Sequence, residues 1–160
     1  MTASTQPQAG TAIDDILEAH AGRPGPLLPI LHAVQERFGC IAAEQVATIA
    51  RRLNLSRAEV HGVVSFYHYF RHEPPGRHIV QVCRAEACQA VGCERTEGHA
   101  KSALGVDHHG TSADGTFTLE PVYCLGNCAL GPSVMIGDTL YGRVTPERLD
   151  ELLDEWRNKT

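Results

Sequence analysis

Cys83-Arg-Ala-Glu-Ala-Cys88 and Cys124-Leu-Gly-Asn-Cys128 are the two stretches of this chain that decide its fold, and Ala-Leu-Gly-Pro132 follows the second one. Four thiolates are the full ligand set of an iron–sulfur cluster or of a tetrahedral zinc ion. Magnesium and calcium prefer oxygen ligands, so they do not suit these side chains. The sequence therefore predicts a metal centre formed by Cys83, Cys88, Cys124 and Cys128.

The spacing of the cysteines bears on the choice of metal. Structural zinc sites usually hold their cysteines in tight C-x2-C knuckles, whereas this chain has the wider C-x4-C and C-x3-C. Wider gaps favour thiolates that reach two different irons, and plant-type ferredoxins also contain a C-x4-C element. The spacing favours a [2Fe–2S] cluster, with zinc and a disulfide or plain buried thiols as the alternatives.

Composition excludes several classes of function. The 160 residues carry a net charge of −5, whereas proteins that bind nucleic acid usually present a positively charged surface. The charge therefore argues against binding of nucleic acid. No apolar run approaches the length of a membrane span, so we expect no direct membrane insertion. The N-terminus Met1 to Asp15 lacks a basic region followed by an apolar stretch, so we expect no signal peptide and a cytoplasmic location. Structural disulfides are rare in that reducing compartment.

Residues 1–10 are polar, and we predict that they are disordered. Residues 11–75 predict a helical bundle, because their apolar residues recur at three- and four-residue intervals. The predicted features are a capping box at Thr11–Asp14 with Ile13, Ile16 and Leu17 on one face, a helix from Leu27 to Phe38 ended by Gly39, a helix over 43–53 and a second capping box at Ser56–Glu59.

Residues 76–160 predict a small α/β domain, so the fold class is α+β. The predicted elements are a strand at His78–Val82 running into Cys83, a helix near 88–105, a strand at Thr116–Glu120, a hairpin of 133–136 and 139–144 around Gly137-Asp138, and a last helix capped by Thr145-Pro146 with Leu149, Leu152, Leu153 and Trp156 inward. Both cysteine pairs then lie at strand ends, where rigid elements hold ligands in place.

These motifs together resemble the thioredoxin-like [2Fe–2S] ferredoxin family. The resemblance rests on the strand leading into C-x4-C, on Asp114-Gly-Thr-Phe-Thr-Leu119, on the Cys124 to Pro132 stretch, and on Val60-His-Gly-Val-Val-Ser-Phe-Tyr67 upstream. It covers about residues 12 to 157 and implies a thioredoxin-like [2Fe–2S] domain behind a helical bundle. Asn127 and Gly131 depart mildly from the commonest family pattern, and neither change removes a ligand.

The resemblance implies an electron-transfer subunit with Cys83, Cys88, Cys124 and Cys128 as the cluster ligands. It implies FMN and NAD on a partner flavoprotein subunit, and no activity of this chain alone. The stretch from Cys124 to Pro132 looks closest to the gamma subunit of NAD-dependent formate dehydrogenase, which implies a larger molybdenum-containing catalytic subunit. The equivalent subunit of respiratory complex I or of an NAD-reducing hydrogenase is the alternative, and a zinc-stapled structural adaptor is the remote one.

Other residues carry smaller predictions. Cys93 repeats the C-x4-C gap after Cys88, and we interpret it as a plain thiol rather than a ligand or a redox sensor. We interpret Cys40 as a small core residue. We predict that Gly126 has a backbone role, because a flexible residue there lets backbone N–H groups point at sulfur. We expect His108-His109 to be exposed. The aromatic segment from Phe66 to Phe70 predicts packing of the bundle against the second domain, with some of its surface at an interface with a partner.

Overall fold

The computed structural model describes residues 9–159, with side chains from residue 12 onward. They form two compact units, which divide between Pro74 and Pro75. Among the helices of residues 9–159, none has both the length and the apolar character that crossing a membrane requires. The fold is of the predicted α+β class.

The first unit contains four helices. They are α1 (Ala9–Ala19), α2 (Leu27–Phe38), α3 (Ala43–Leu53) and α4 (Arg57–Phe66). Their apolar faces meet in one core, which includes Leu17, Ile30, Leu31, Val34, Ile41, Ile49, Val60 and Val64. Burial of these aliphatic side chains stabilises the unit by roughly 1.5–3 kcal/mol for each one.

Local signals define the ends of these helices. Gly39 ends α2 in the left-handed conformation, with a φ of 82°, and its N–H donates to the Gln35 carbonyl. Ser56 begins α4 with a capping box, since its hydroxyl accepts from the Glu59 N–H and the Glu59 carboxylate accepts from the Ser56 N–H. Both predictions are confirmed, as is the helix over 43–53.

Three predictions for the first unit need correction. Helix α1 begins at Ala9, so no capping box opens it at Thr11 and residues 9 and 10 are helical; residues 1–8 lie outside the described range. In the aromatic segment, only Phe70 is buried, in the helical core. Phe66, Tyr67 and Tyr69 are exposed because α4 ends at Phe66 and the chain turns there.

The second unit is built on a four-stranded sheet in the order β2-β1-β3-β4. Its elements are β1 (His78–Cys83), α5 (Glu86–Ala90), α6 (Cys93–Leu104), β2 (Phe117–Val122), a short 3-10 helix (Cys128–Leu130), β3 (Val134–Ile136), β4 (Thr139–Tyr141) and α7 (Pro146–Arg157). Strands β1 and β2 are parallel, whereas β1–β3 and β3–β4 are antiparallel. Its core lies between the sheet, α6 and α7.

The order of elements in this unit agrees with the sequence prediction, and four details differ. The predicted helix near 88–105 is broken at Gly92, which has a φ of 83°. Gly92 is the N-cap of α6, whose first helical residue is Cys93. Strand β2 runs from Phe117 to Val122, and β4 ends at Tyr141 rather than 144. Trp156 is only partly buried, because its indole N–H donates to the Tyr141 hydroxyl at the edge of the core.

Candidate metal centre

The parallel pairing of β1 and β2 brings the two cysteine stretches to one edge of the sheet. In the register of this pair, Cys83 lies opposite Val122, and the Arg84 N–H donates to the Val122 carbonyl. Cys83 is the last residue of β1, and Cys124 follows the end of β2 by two residues. The carboxyl ends of parallel strands lie at the same edge of a sheet. Cys83 and Cys124 are therefore close in space, although about 40 residues separate them in the sequence.

Cys83 and Cys88 form a buried thiol pair. They are 3% and 2% exposed, and they pack in one buried cluster. Cys88 is held in α5, where its N–H donates to the Ala85 carbonyl. Burial is the main reason that the pKa of Cys88 is raised, and the hydrogen bond with Cys83 adds to it.

Cys124 and Cys128 form an exposed thiol pair. Both lie at the protein surface, in the loop between β2 and β3, and Cys128 begins the 3-10 helix. The hydrogen bond between these two thiols is the main reason that the pKa of Cys128 is raised, and the nearby Cys83 raises it further. A Cβ at Gly131, three residues after Cys128, would lie 3.4 Å from Cys88 Sγ, so the two pairs face the same region.

The structure therefore brings the four predicted site residues together as two pairs. Within residues 9–159, no group of three or more His, Cys, Asp or Glu side chains is close enough to hold a single metal ion. A [2Fe–2S] cluster has two irons, and four cysteines supply two thiolates to each iron. Two adjacent pairs on one edge of the sheet fit that donor set.

Polar groups act on a sulfur of each pair. In the exposed pair, the Gly126 N–H donates to Cys124 Sγ at 3.3 Å, and Gly126 has a φ of 75°, which favours glycine. This bond confirms the backbone role predicted for Gly126. In the buried pair, the backbone and the hydroxyl of Ser133 lower the pKa of Cys88, against the larger effect of burial. Both influences favour the more negative state of a thiolate-bound centre.

The exposed pair sits in a loop that the segment after β4 holds in place. The Arg143 N–H donates to the Leu130 carbonyl at 2.7 Å, and the Val144 N–H donates to the Pro132 carbonyl at 3.0 Å. A Cβ at Gly142 would lie 2.7 Å from Leu130 Cβ and 2.8 Å from the Leu130 oxygen, which leaves no room for a side chain. The loop and this segment are therefore packed backbone against backbone.

Gly131 brings the loop equally close to the buried pair. A Cβ there would lie 2.9 Å from Val91 Cγ2 and 3.4 Å from Cys88 Sγ. The absence of a side chain at Gly131 thus lets the exit of the loop approach Cys88. The peptide bond between Gly131 and Pro132 is cis.

Cys93 is a third buried cysteine beside the first pair. It is 1% exposed and packs in the same small cluster as Cys83 and Cys88. Burial, followed by the charges of Cys88 and Glu97, raises its pKa above the ordinary value of a thiol. A raised pKa keeps the thiol protonated, which agrees with the interpretation of Cys93 as a buried thiol. Cys40 is buried as predicted.

A charge cluster that the sequence did not reveal lies next to Cys83. The carboxylate of Glu97 is 9% exposed, and its oxygens lie 2.9 Å from Arg84 Nε and 2.7 Å from His108 Nε2. The expectation that His108 is exposed is wrong, because this contact holds its ring half-buried. His109 is exposed as expected, and its ring bonds to Glu120.

Most of the chain matches one known protein family. The model of a family described as thioredoxin-like [2Fe–2S] ferredoxin matches residues 13–157. The chain belongs to this family. Its second unit, with two thiol pairs at the edge of a mixed sheet, is thus a thioredoxin-like domain of a [2Fe–2S] family, and the predicted family and fold are confirmed.

Curated relatives of this chain are components of larger oxidoreductases. The HndA component of an NADP-reducing hydrogenase from Solidesulfovibrio fructosivorans is 34% identical over 140 residues, which is 88% of this chain and 82% of that protein. A component of the NADH-quinone oxidoreductase of Pseudomonas aeruginosa is 37% identical over 126 residues, 79% of this chain and 76% of that protein.

A solved structure shares the fold. The crystal structure of an NAD+-reducing [NiFe]-hydrogenase in the H2-reduced state contains a chain that superposes with a TM-score of 0.67 and 21% sequence identity. The match covers 81% of the present chain and 22% of the hydrogenase chain, so this protein spans about a fifth of that chain's length. At this identity, the likeness concerns the fold.

Proposed function

We propose that this protein is an electron-transfer subunit that carries one [2Fe–2S] cluster on Cys83, Cys88, Cys124 and Cys128. The observation that carries the proposal is the meeting of a buried and an exposed thiol pair at one edge of the sheet of a [2Fe–2S] family member. When bound, the cluster supplies one-electron redox chemistry. The Gly126 N–H, through its bond to Cys124 Sγ, and Ser133, through its influence on Cys88, adjust the environment of the cluster.

The position of the thiols supports exchange of electrons with another protein. Cys124 and Cys128 lie at the surface, and the exposed residues Tyr123 and Leu130 flank them in sequence. The chain has no G-x-G-x-x-G nucleotide-binding loop, so we place NAD on a partner rather than on this chain. We propose that the partner is a flavoprotein subunit that binds FMN and NAD(H).

The identity of the whole complex is a finer proposal. The stretch from Cys124 to Pro132 favours the gamma subunit of an NAD-dependent, molybdenum-containing formate dehydrogenase. The names of the curated relatives instead favour an NADH-quinone oxidoreductase or an NAD(P)-linked hydrogenase. Purification of the complex through a tag on this chain separates them, because molybdenum, nickel or a quinone-reducing membrane complex co-purifies in the respective cases.

The proposed cluster is tested by electron paramagnetic resonance on anaerobically purified protein before and after dithionite. We expect no signal from the oxidised protein, a signal on reduction, and equal amounts of iron and acid-labile sulfide. Replacement of Cys93 by Ala leaves the signal intact, since this thiol is not among the four proposed ligands. Stoichiometric zinc and silence in both states would replace the proposal by a structural zinc adaptor.

A second assay tests the absence of turnover by this chain alone. We expect the isolated protein to reduce no NAD with formate or hydrogen, and to accept electrons from NADH only when the flavoprotein subunit is added. Turnover by the isolated chain would contradict an electron-transfer role.

A further inference from the structure

A cleft of about 310 Å³ opens beside the cysteine loop. Three segments of the second unit line it. They are the start of α6 with Arg95, the exit of the cysteine loop with Gly131 and Pro132, and the turn before α7 with Arg143. This cleft presents two guanidinium groups next to the proposed cluster site.

Neither arginine is neutralised within the described part of the chain. Among residues 12–159, Arg95 and Arg143 form no ion pair, whereas Arg84, Arg148 and Arg157 each have a carboxylate partner. Such unpaired guanidiniums are suited to bidentate recognition of an oxyanion.

One carboxylate, that of Glu147, also lines the cleft. The nearby Thr145 hydroxyl, followed by the Glu147 N–H, is the main reason that the pKa of Glu147 is lowered. Arg95 acts on it only at longer range. Two positive groups and one negative group leave the cleft locally positive in a chain whose net charge is −5.

Arg143 is held at its place by an unusual backbone conformation. Its φ is 53°, in the left-handed region that residues with a side chain rarely adopt. Its N–H bonds to the Leu130 carbonyl, so the same residue anchors the cysteine loop and presents a guanidinium beside it. A non-glycine residue in such a conformation is a reason to look for a role of its side chain.

The surroundings of the cleft resemble the centre of a protein interface. Val91, which lines the cleft, is 51% exposed, and Leu130, whose carbonyl accepts from the Arg143 N–H, is 40% exposed. Exposed apolar side chains beside arginines are typical of a surface that binds another protein. The cleft also touches Gly131, which lies against Cys88 Sγ.

We propose that Arg95 and Arg143 bind a carboxylate side chain of the protein with which this chain exchanges electrons. The proposal rests on the proposed electron-transfer function and names an acidic residue of the partner as the anchor of the docked complex. Attraction at this positive cleft, on a chain of net charge −5, orients the partner toward the exposed thiols.

Zero-length cross-linking of the complex, purified through a tag on the full-length chain, tests this directly. The chain has lysines only at Lys101 and Lys159, so Arg143→Lys or Arg95→Lys adds an amine at the cleft against a low background. A carbodiimide joins an amine to a carboxylate in contact with it. We expect mass spectrometry to find residue 143 or 95 linked to an aspartate or glutamate of the flavoprotein.

Arg148→Lys on α7 is the matched control, because Arg148 is exposed but paired with Glu151. We expect no link from residue 148 to the flavoprotein. Links from residues 143 and 95 only to carboxylates of this same chain, or none at all, would overturn the proposal.

Charge-reversal variants measure how much the cleft contributes to binding of the flavoprotein. We expect Arg143→Glu to weaken retention of the flavoprotein by about tenfold or more, and Arg148→Glu to leave it unchanged. Equal effects of the two variants would refute a specific anchor. The reduced-state resonance spectrum of Arg143→Glu reports separately on the cluster, so loss of docking is distinguished from failure of the proposed function.

Discussion

The two thiol pairs differ in how the fold holds them and in how they meet solvent. Cys83 and Cys88 are carried by a central strand and a helix and are almost fully buried, whereas Cys124 and Cys128 are carried by a surface loop. The buried pair is positioned by the core, and the exposed pair depends on backbone contacts with the segment from Gly142 to Val144. The buried pair is thus held rigidly by the core, whereas the exposed pair is accessible from solvent.

Removal of one thiol from each pair gives the largest expected effect. We expect Cys83→Ala and Cys124→Ala both to abolish the reduced-state resonance signal and to lose iron. The cluster-free proteins should differ, because Cys83→Ala also removes a buried sulfur and lowers the free energy of unfolding by about 1 kcal/mol, whereas Cys124→Ala changes it by less than about 0.5 kcal/mol. Iron analysis and urea unfolding measure both effects, and full iron in either variant would contradict the ligand set.

Gly142→Ala tests the dependence of the exposed pair on close backbone packing. A Cβ at this position meets Leu130 Cβ and the Leu130 carbonyl oxygen, neither of which is the end of a flexible side chain. We expect a loss of roughly 1–3 kcal/mol in the free energy of unfolding and faster loss of iron in air. Urea unfolding and the decay of visible absorption measure these effects. An unchanged decay would mean that the loop does not need this contact.

Much of this arrangement was predictable from sequence because its signals are local. The Ser56 and Thr145 caps, the Gly39 helix end and the cysteine spacing each depend on residues within a few positions of one another. The roles of Ser133, Gly142 and Glu97 were missed because their contacts are long-range. The clash at Gly142 arises from a residue twelve positions away, and the pairing of Cys83 with Ser133 follows from the β1–β3 register.

Ser133→Ala removes a hydroxyl that favours the thiolate form of Cys88 and also bonds to Asn127 and Leu130 in the loop of the exposed pair. The donor to Cys124, by contrast, is a backbone N–H that no side-chain substitution removes. Loss of a polar interaction worth about 1 kcal/mol to the reduced state makes the potential more negative by roughly 40 mV for one electron. Redox titration measures the change. Ser102→Ala on α6 is the control, since that hydroxyl donates to the Gly98 carbonyl. An equal shift of the potential in this variant would show that the effect is not specific to Ser133.

Gly98→Ala gives the smallest expected effect and has the opposite sign. A Cβ at Gly98 meets nothing within 4 Å, in contrast to Gly142. Alanine favours the interior of α6, so we expect the free energy of unfolding to rise by roughly 0.5–1 kcal/mol with an unchanged potential. Thermal unfolding checks the sign, and a destabilised variant would show that α6 is more tightly packed at this face than its open space indicates.

The parallel pairing of β1 with β2 has a consequence for the entropy of the unfolded chain. A cluster shared by both thiol pairs ties together residues that are roughly 35 positions apart, in the way that a cross-link closes a loop, and closure of a loop of this length is worth about 3–4 kcal/mol. With the proposed ligand set, the cluster would link the two ends of the crossover that contains helices α5 and α6. Loss of the cluster would relax that constraint on the unfolded ensemble, so the proposed redox centre would also contribute to the stability of the domain that carries it.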